Sequence, residues 1–277
     1  MEMTKAIDSI ELTAAQEIRA DKEDYIKDGL LYCHKCNTPK QARVSIFGEI
    51  RTPMCLCDCE MEQLKIANEN REKQEAMDRV KRLRAVGFPD ADMKEWTFEK
   101  DDHANEKIST IARKYVECFE EMKERGKGIL FYGSVGTGKT FISACIANEL
   151  IDQGHPCLVT NFARLINTLS GKYEGNFLDS LNQFDLIVID DLGSERDTEY
   201  VGEIVQNIID SRYRSGKPLI VTTNLTSDEL KNPTDIRKQR IYSRLFEMCV
   251  PVEVKGKDRR KQKLKDEYSE MEEVLGL

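Results

Sequence analysis

Apolar residues along this chain gather into a few short, dense runs separated by long charged stretches. Gly128-Ile129-Leu130-Phe131-Tyr132, the run Leu186-Ile187-Val188-Ile189 inside Phe184–Asp191, and Pro218-Leu219-Ile220-Val221-Thr222-Thr223 are continuous rather than alternating. Short unbroken runs of this kind suit strands of a parallel sheet covered on both faces. Pro251 to Val254 predicts a last strand. Behind the first run, Phe141, Ile142, Ala144, Cys145, Ile146, Ala147, Leu150 and Ile151 recur at helical spacing, so a strand, a turn and a helix follow one another. Glu60 to Leu83 lacks Gly and Pro, and Leu64, Ala67, Arg71, Gln74 and Met77 give it only a sparse stripe. It reads as an exposed linking helix. Met1 to Leu31 is acidic and helix-prone, Gly87-Phe88-Pro89-Asp90 breaks the charged stretch, and Lys261 to Leu277 is a mixed-charge tail.

The pattern predicts an α/β chain with four segments. Residues 1–59 form an acidic helix plus a small cysteine-bearing module, 60–84 the linking helix, 85–262 the main domain and 263–277 a charged helical tail. At 277 residues the chain can bury a substantial core. It has no apolar run of about 20 residues, so no membrane span is expected, and no secretory signal, so a cytoplasmic location is expected. The net charge of −8 argues against indiscriminate duplex binding. A local groove for a single strand remains compatible with it, and Phe162 to Lys172 and Arg237 to Arg240 are the candidate stretches.

The turn after the first strand carries the chemistry. Gly133-Ser134-Val135-Gly136-Thr137-Gly138-Lys139-Thr140 is a G-x-x-x-x-G-K-T phosphate cradle in its proper strand–turn–helix context. The glycines let backbone amides face phosphate oxygens, and the helix start adds the positive end of its dipole. Lys139 is placed to reach the β- and γ-phosphates of ATP, and Thr140 to offer its hydroxyl to Mg²⁺. The Leu186–Ile189 run ends in Asp190 and Asp191. Asp190 is expected to hold Mg²⁺ through its water shell, and Asp191 to act as base or orienter of the attacking water. Asn224 closes the third run, at the carboxyl end of a strand where ligands of open α/β sheets bind, and is a candidate to polarise the γ-phosphate or the lytic water.

A second constellation lies near the amino terminus. Cys33-His34-Lys35-Cys36 is a C-x-x-C, and Cys55, Cys57 and Cys59 follow on alternate positions. The gap between the clusters falls in the range of paired zinc knuckles, so four of these five cysteines are expected to close a tetrahedron around structural Zn²⁺. Cys33, Cys36 and Cys57 are the firmer members, and spacing leaves the fourth open between Cys55 and Cys59. Cys118, Cys145, Cys157 and Cys249 fall in apolar surroundings and read as small buried hydrophobes.

Taken together these motifs resemble the AAA+ ATPases, and within them the DnaC/DnaI-type helicase loaders and the related IstB-type transposition helpers. The resemblance spans roughly residues 85–262 and rests on Gly133–Thr140 (Walker A), Ile187–Gly193 (Walker B) and Thr222-Thr223-Asn224 (sensor 1). Ile209-Asp210-Ser211-Arg212-Tyr213, Arg240-Ile241-Tyr242-Ser243-Arg244-Leu245 and Gly256-Lys257-Asp258-Arg259-Arg260 also look like this group. It implies an AAA+ P-loop domain whose parallel sheet is flanked by helices and preceded by a zinc module and a linking helix. It also implies that Arg244, or else Arg240, is an arginine finger given to a neighbouring subunit of an ATP-dependent oligomer. Arg260 is then the arginine that senses nucleotide. Many AAA+ proteins carry Glu where this chain has Asp191, a methylene shorter, which implies slow hydrolysis. The zinc module resembles the amino-terminal part of DnaI-type loaders. That implies a partnership with the replicative hexameric helicase and single-stranded DNA. The alternative is an IstB-like helper that contacts a transposase and target duplex DNA. Trp96-Thr97-Phe98 resembles the segment that borders adenine in the family, and an aromatic core position is an equal reading.

Overall fold

In the computed structural model the described residues are 20–88, 90–169, 174–194 and 198–259, with 268, 271, 272, 274 and 275 beyond them. They divide into two compact units, one ending at Met77 and the other starting at Asp78.

The first unit is built on two hairpins. Strands β1 (Tyr25–Lys27) and β2 (Leu30–Tyr32) pair antiparallel, as do β3 (Val44–Ile46) and β4 (Glu49–Arg51). Each turns through two residues at positive φ, Asp28 with Gly29 and Phe47 with Gly48. That turn geometry matches the twist of paired strands and favours Asp-Gly. The β1–β2 hairpin overturns the helical reading over residues 20–31; the rest of the acidic helix, residues 1–19, lies outside the described residues. Lys40 is buried, with Nζ 2.9 Å from Asp24 and 3.0 Å from Glu60. Burial pulls its pKa down, but the two carboxylates outweigh it and the net shift is upward. Helix α1 (Asp58–Gly87) opens with the Cys57 amide donating to Glu60 Oε2 at 3.1 Å. Its residues are exposed along most of its length, as the sparse stripe predicts; beyond Asp78 the helix belongs to the second unit, where Val80 and Leu83 join the core.

In the second unit, α2 (Glu106–Glu117) and α3 (Phe119–Glu124) lead into β5 (Gly128–Tyr132), α4 (Lys139–Asp152) and β6 (Cys157–Asn161). There follow α5 (Phe162–Leu169), α6 (Glu174–Leu181), β7 (Leu186–Leu192), α7 (Glu199–Ser215), β8 (Leu219–Thr223), α8 (Ser227–Lys231), α9 (Ile236–Met248) and β9 (Cys249–Glu253). The strands form one parallel sheet in the order β6-β7-β8-β5-β9. Their apolar runs are continuous because each strand feeds two cores. Ile129, Phe131, Leu186, Val188 and Ile220 face the layer of α2 and α4; Leu130, Ile187, Ile189, Leu219 and Val221 face the layer of α5, α7 and α9. This is the AAA+ P-loop arrangement that the motifs predict.

Arg212 on α7 is only 2 % exposed, and its guanidinium donates to the carbonyls of Phe184, Asp185 and Pro218 at 2.8–3.1 Å. It ties together the chain entering β7 and the chain entering β8. Cys145, Cys157 and Cys249 are buried, and burial pushes the thiols of Cys145 and Cys249 up to about 12. They are protonated packing residues. Among the described residues no helix is long and apolar enough to cross a membrane.

Candidate functional site

The phosphate cradle leaves β5 at Tyr132 and enters α4 at Lys139. Gly133, Gly136 and Gly138 all have positive φ, at 135°, 77° and 92°. At Gly133 space is as limiting as dihedral angle, since an added Cβ would lie 2.5 Å from the Val254 carbonyl oxygen. The first amides of α4 lack helical acceptors, which makes the turn a site for anionic oxygen. Lys139 is 6 % exposed and donates from Nζ to the carbonyls of Gly133 (2.8 Å) and Ser134 (2.7 Å) and to Asn224 Oδ1 (2.8 Å). Those acceptors hold the ammonium over the loop, where phosphate oxygens can take it up.

The carboxylates meet this loop across the sheet. Thr140 and Thr222 each donate a hydroxyl to Asp190 Oδ1, at 2.8 and 2.5 Å. Burial pushes the Asp190 carboxyl up, the hydroxyls of Thr222 and Thr140 oppose it, Asp191 adds to the rise and Lys139 counters it; the net shift is upward. Asn224 Nδ2 donates to Asp191 Oδ1 at 2.7 Å, so Asn224 stands between Lys139 and Asp191. The structure therefore gathers Lys139, Thr140, Asp190, Asp191 and Asn224 in one cleft of about 510 Å³.

The cleft wall also includes Trp96 and Phe141, whose rings lie 5.8 Å apart. Asn148 donates to the carbonyls of Met93 and Trp96, fixing the turn that carries the indole. Of the two aromatics read from the sequence, Trp96 reaches the cleft and Phe98 is buried in the core. Arg259 is a cleft residue that the sequence reading passed over. Its amide donates to the Gly136 carbonyl at 3.0 Å, its guanidinium pairs with Asp102 at 3.1 Å, and it lies against Gly138. The signal was present in Gly256–Arg260, but two adjacent arginines gave no means of ranking them. Arg260 lies outside the described residues.

Neither Arg240 nor Arg244 of α9 lines this cleft. Ile241 and Leu245 are buried and Arg240 is exposed, as an amphipathic helix requires. Arg244 is ion-paired with Asp210 and stands 5.9 Å from the Tyr213 ring centre. The basic candidates for nucleic acid are partly neutralised: Arg164 pairs with Asp90 and Arg237 with Glu199, while Lys172 lies outside the described residues.

In the first unit, Cys33, Cys36, Cys57 and Cys59 bring all four sulfurs within 4.8 Å of one another. Cys57 Sγ is 3.3 Å and Cys33 Sγ 3.7 Å from Cys59 Sγ. Four thiolates about 2.3 Å from a tetrahedral Zn²⁺ stand about 3.8 Å apart, so the donor set fits that ion. A hydrogen bond with the Thr38 hydroxyl is the main cause that brings the Cys36 thiol down to about 5. Cys55 stands apart, its thiol directed to the Pro39 carbonyl at 3.6 Å and pushed upward in pKa by burial. The geometry thus selects Cys59 over Cys55.

Comparison with known proteins agrees with the nucleotide-binding arrangement of the second unit. A family model described as IstB-like ATP binding protein matches residues 56–267. The replicative helicase loader DnaI of Bacillus subtilis (strain 168) is 27 % identical over 150 residues, covering 49 % of this chain and 48 % of that protein. The replicative helicase loader DnaC of Escherichia coli (strain K12) is 31 % identical over 140 residues, covering 48 % and 55 %. The chain spans about half the length of the curated relatives it matches. Among solved structures, that of the DnaC helicase loader is similar at a TM-score of 0.53 and 26 % identity, covering 60 % of this chain and 100 % of that one. The crystal structure of DnaI shares the fold, with a TM-score of 0.52 and 22 % identity, covering 61 % and 96 %.

Proposed function

The chain belongs to the IstB-like ATP-binding protein family, and from that premise we propose that it is an ATP-hydrolysing loader of the replicative DNA helicase. The observation that carries the reading is the single cleft joining the phosphate cradle, both carboxylates and Asn224, in a chain whose relatives are named replicative helicase loaders. Lys139 and the amides of Gly133–Thr140 bind the triphosphate, and Trp96 walls the base. Thr140 and Asp190 are the residues suited to hold Mg²⁺, which when bound neutralises phosphate charge. Asp191 orients the attacking water. Asn224 turns its Nδ2 donor from Asp191 to the γ-phosphate or that water. The short reach of Asp191 favours a slow nucleotide switch.

Arg244 completes the site from a neighbouring copy in an ATP-dependent oligomer, with Arg240 the second choice. It is not among the residues lining its own cleft, which a role across a subunit boundary requires, and it would have to leave Asp210 to act there. Arg244→Ala should keep ATP binding and lose the concentration-dependent part of turnover; equal turnover at high protein concentration would reject the finger. In the first unit Cys33, Cys36, Cys57 and Cys59 hold Zn²⁺, which supplies folding energy to a segment with little core of its own. On this reading the residues before the ATPase domain grip the helicase, and the ATPase domain binds single-stranded DNA and releases the helicase.

A transposition helper is the second reading, favoured by the family description itself. Capture of the cognate replicative helicase by the full chain, with ATP and with Cys33→Ser as control, separates the two. Loss of capture in the control supports the loader. No capture by the unaltered chain with ATP moves the assignment to the transposition helper.

A further inference from the structure

We infer that Thr222 is a positioning residue that holds Asp190 and Asp191 as a pair, through an irregularity in the sheet at the cleft; as far as catalysis is concerned this rests on the ATPase reading above. The register between β7 and β8 is regular up to Ile189 opposite Val221 and resumes at Leu192 opposite Thr223. Two residues of β7, Asp190 and Asp191, therefore face one residue of β8, Thr222. Such a bulge is uncommon between parallel strands and re-aims the side chains that it carries. In a regular strand neighbouring residues point to opposite faces, and one of the two carboxylates would be lost to the cleft. Here both line it.

The extra residue has its own backbone requirement. Asp191 has a φ of +62°, in the left-handed region that a non-glycine residue seldom occupies without support. Its amide has lost the ladder carbonyl, and the Thr222 hydroxyl accepts from it at 2.9 Å. The same hydroxyl donates its one proton to Asp190 Oδ1 at 2.5 Å. A hydroxyl has one proton and two lone pairs, so Thr222 serves both carboxylate residues at once. Thr222 is 2 % exposed, which leaves little access for a water to take its place. Thr140 and Thr222 both donate to Oδ1 of Asp190, so Oδ2 is the oxygen that neither hydroxyl takes.

Thr222→Val keeps the shape and removes the hydroxyl, and Thr222→Ser restores the hydroxyl without the methyl. The full-length chain is assayed for Mg²⁺-free binding of a fluorescent ATP analogue, for ATP turnover with Mg²⁺, and for hydrogen exchange at the Asp191 amide. Thr222→Val should bind the analogue within about threefold of the unaltered chain, lose about tenfold or more in turnover, and exchange the Asp191 amide about tenfold faster. One lost hydrogen bond to a charged or buried group has that size. Thr222→Ser should recover most of both effects. Unchanged exchange in Thr222→Val, or a Ser variant as impaired as the Val variant, would overturn the assignment. The exchange measurement stands without hydrolysis. Faster exchange in a chain whose turnover is absent and insensitive to Lys139→Ala would uphold the clamp and reject the ATPase reading instead.

Discussion

Replacing single cysteines in the first unit separates ligand from bystander. The four clustered sulfurs lie within 4.8 Å of one another, whereas Cys55 is spent on the Pro39 carbonyl. Structural Zn²⁺ sites contribute roughly 10–16 kcal/mol of binding free energy at neutral pH. Divided over four thiolates, each ligand carries about 2.5–4 kcal/mol, or roughly 10²–10³-fold in affinity. Cys59→Ser should weaken zinc by that factor, and Cys33→Ser, Cys36→Ser and Cys57→Ser likewise. Cys55→Ser should stay within about threefold, because serine keeps a donor for the Pro39 carbonyl and the four clustered thiolates are untouched. The assay is zinc content of reduced protein, followed by competition against a chromophoric chelator of known affinity. Loss of zinc from Cys55→Ser with retention in Cys59→Ser would refute the geometric choice. Absence of zinc from the unaltered protein would refute the centre altogether.

Two further outcomes follow from the cleft. The Asp190 carboxyl is raised from 3.8 by burial, so ionising it costs folding free energy that begins as pH rises through 3.8 and is complete above the raised value. Asp190→Asn keeps an acceptor for Thr140 and Thr222 while removing that charge; without nucleotide its Tm should exceed the parent's at pH 7, with a gain that vanishes toward pH 3, and Mg²⁺-dependent turnover should disappear. A Tm difference that does not change with pH would reject the buried-charge account. Arg259→Ala should weaken nucleotide affinity about tenfold in a fluorescence titration, by removing a cation beside Gly138. An Arg260→Ala variant that alone carries the loss would return the sensing role to Arg260.

How much of this was legible in the sequence depends on what each feature is made of. The sheet was readable because strands buried on both faces cannot alternate, so β5, β7 and β8 stand out as unbroken apolar runs. Lys139, Thr140 and Asp190 were readable because their chemistry fixes residue type at fixed spacing from the glycines. Asp28-Gly29 announces the β1–β2 hairpin, but a two-residue turn is a faint signal within the acidic, helix-prone composition of Met1–Leu31. Cys55 and Cys59 were inseparable because alternate spacing is symmetric about Cys57, and only the start of α1 at Asp58 breaks that symmetry. The bulge at Asp190–Asp191 has no composition signature: a positive φ at an aspartate is imposed by the partner strand. Arg259 was hidden by an equivalent neighbour.

The buried guanidinium of Arg212 bears on how an arginine in this family is interpreted. It belongs to a stretch that resembles the subgroup, two residues after the Asp210 that pairs with Arg244, so an alanine scan aimed at nucleotide-sensing arginines would include it. Yet its donors are committed to carbonyls of Phe184, Asp185 and Pro218, beneath the strands that carry the cleft residues at their other ends. Stripping the guanidinium from such a position leaves those carbonyls without a donor, at about 1–3 kcal/mol for each group left unsatisfied. The resulting protein would lose turnover, assembly and partner binding together. That loss would carry the outward signature of a dead catalyst while reporting only a broken scaffold.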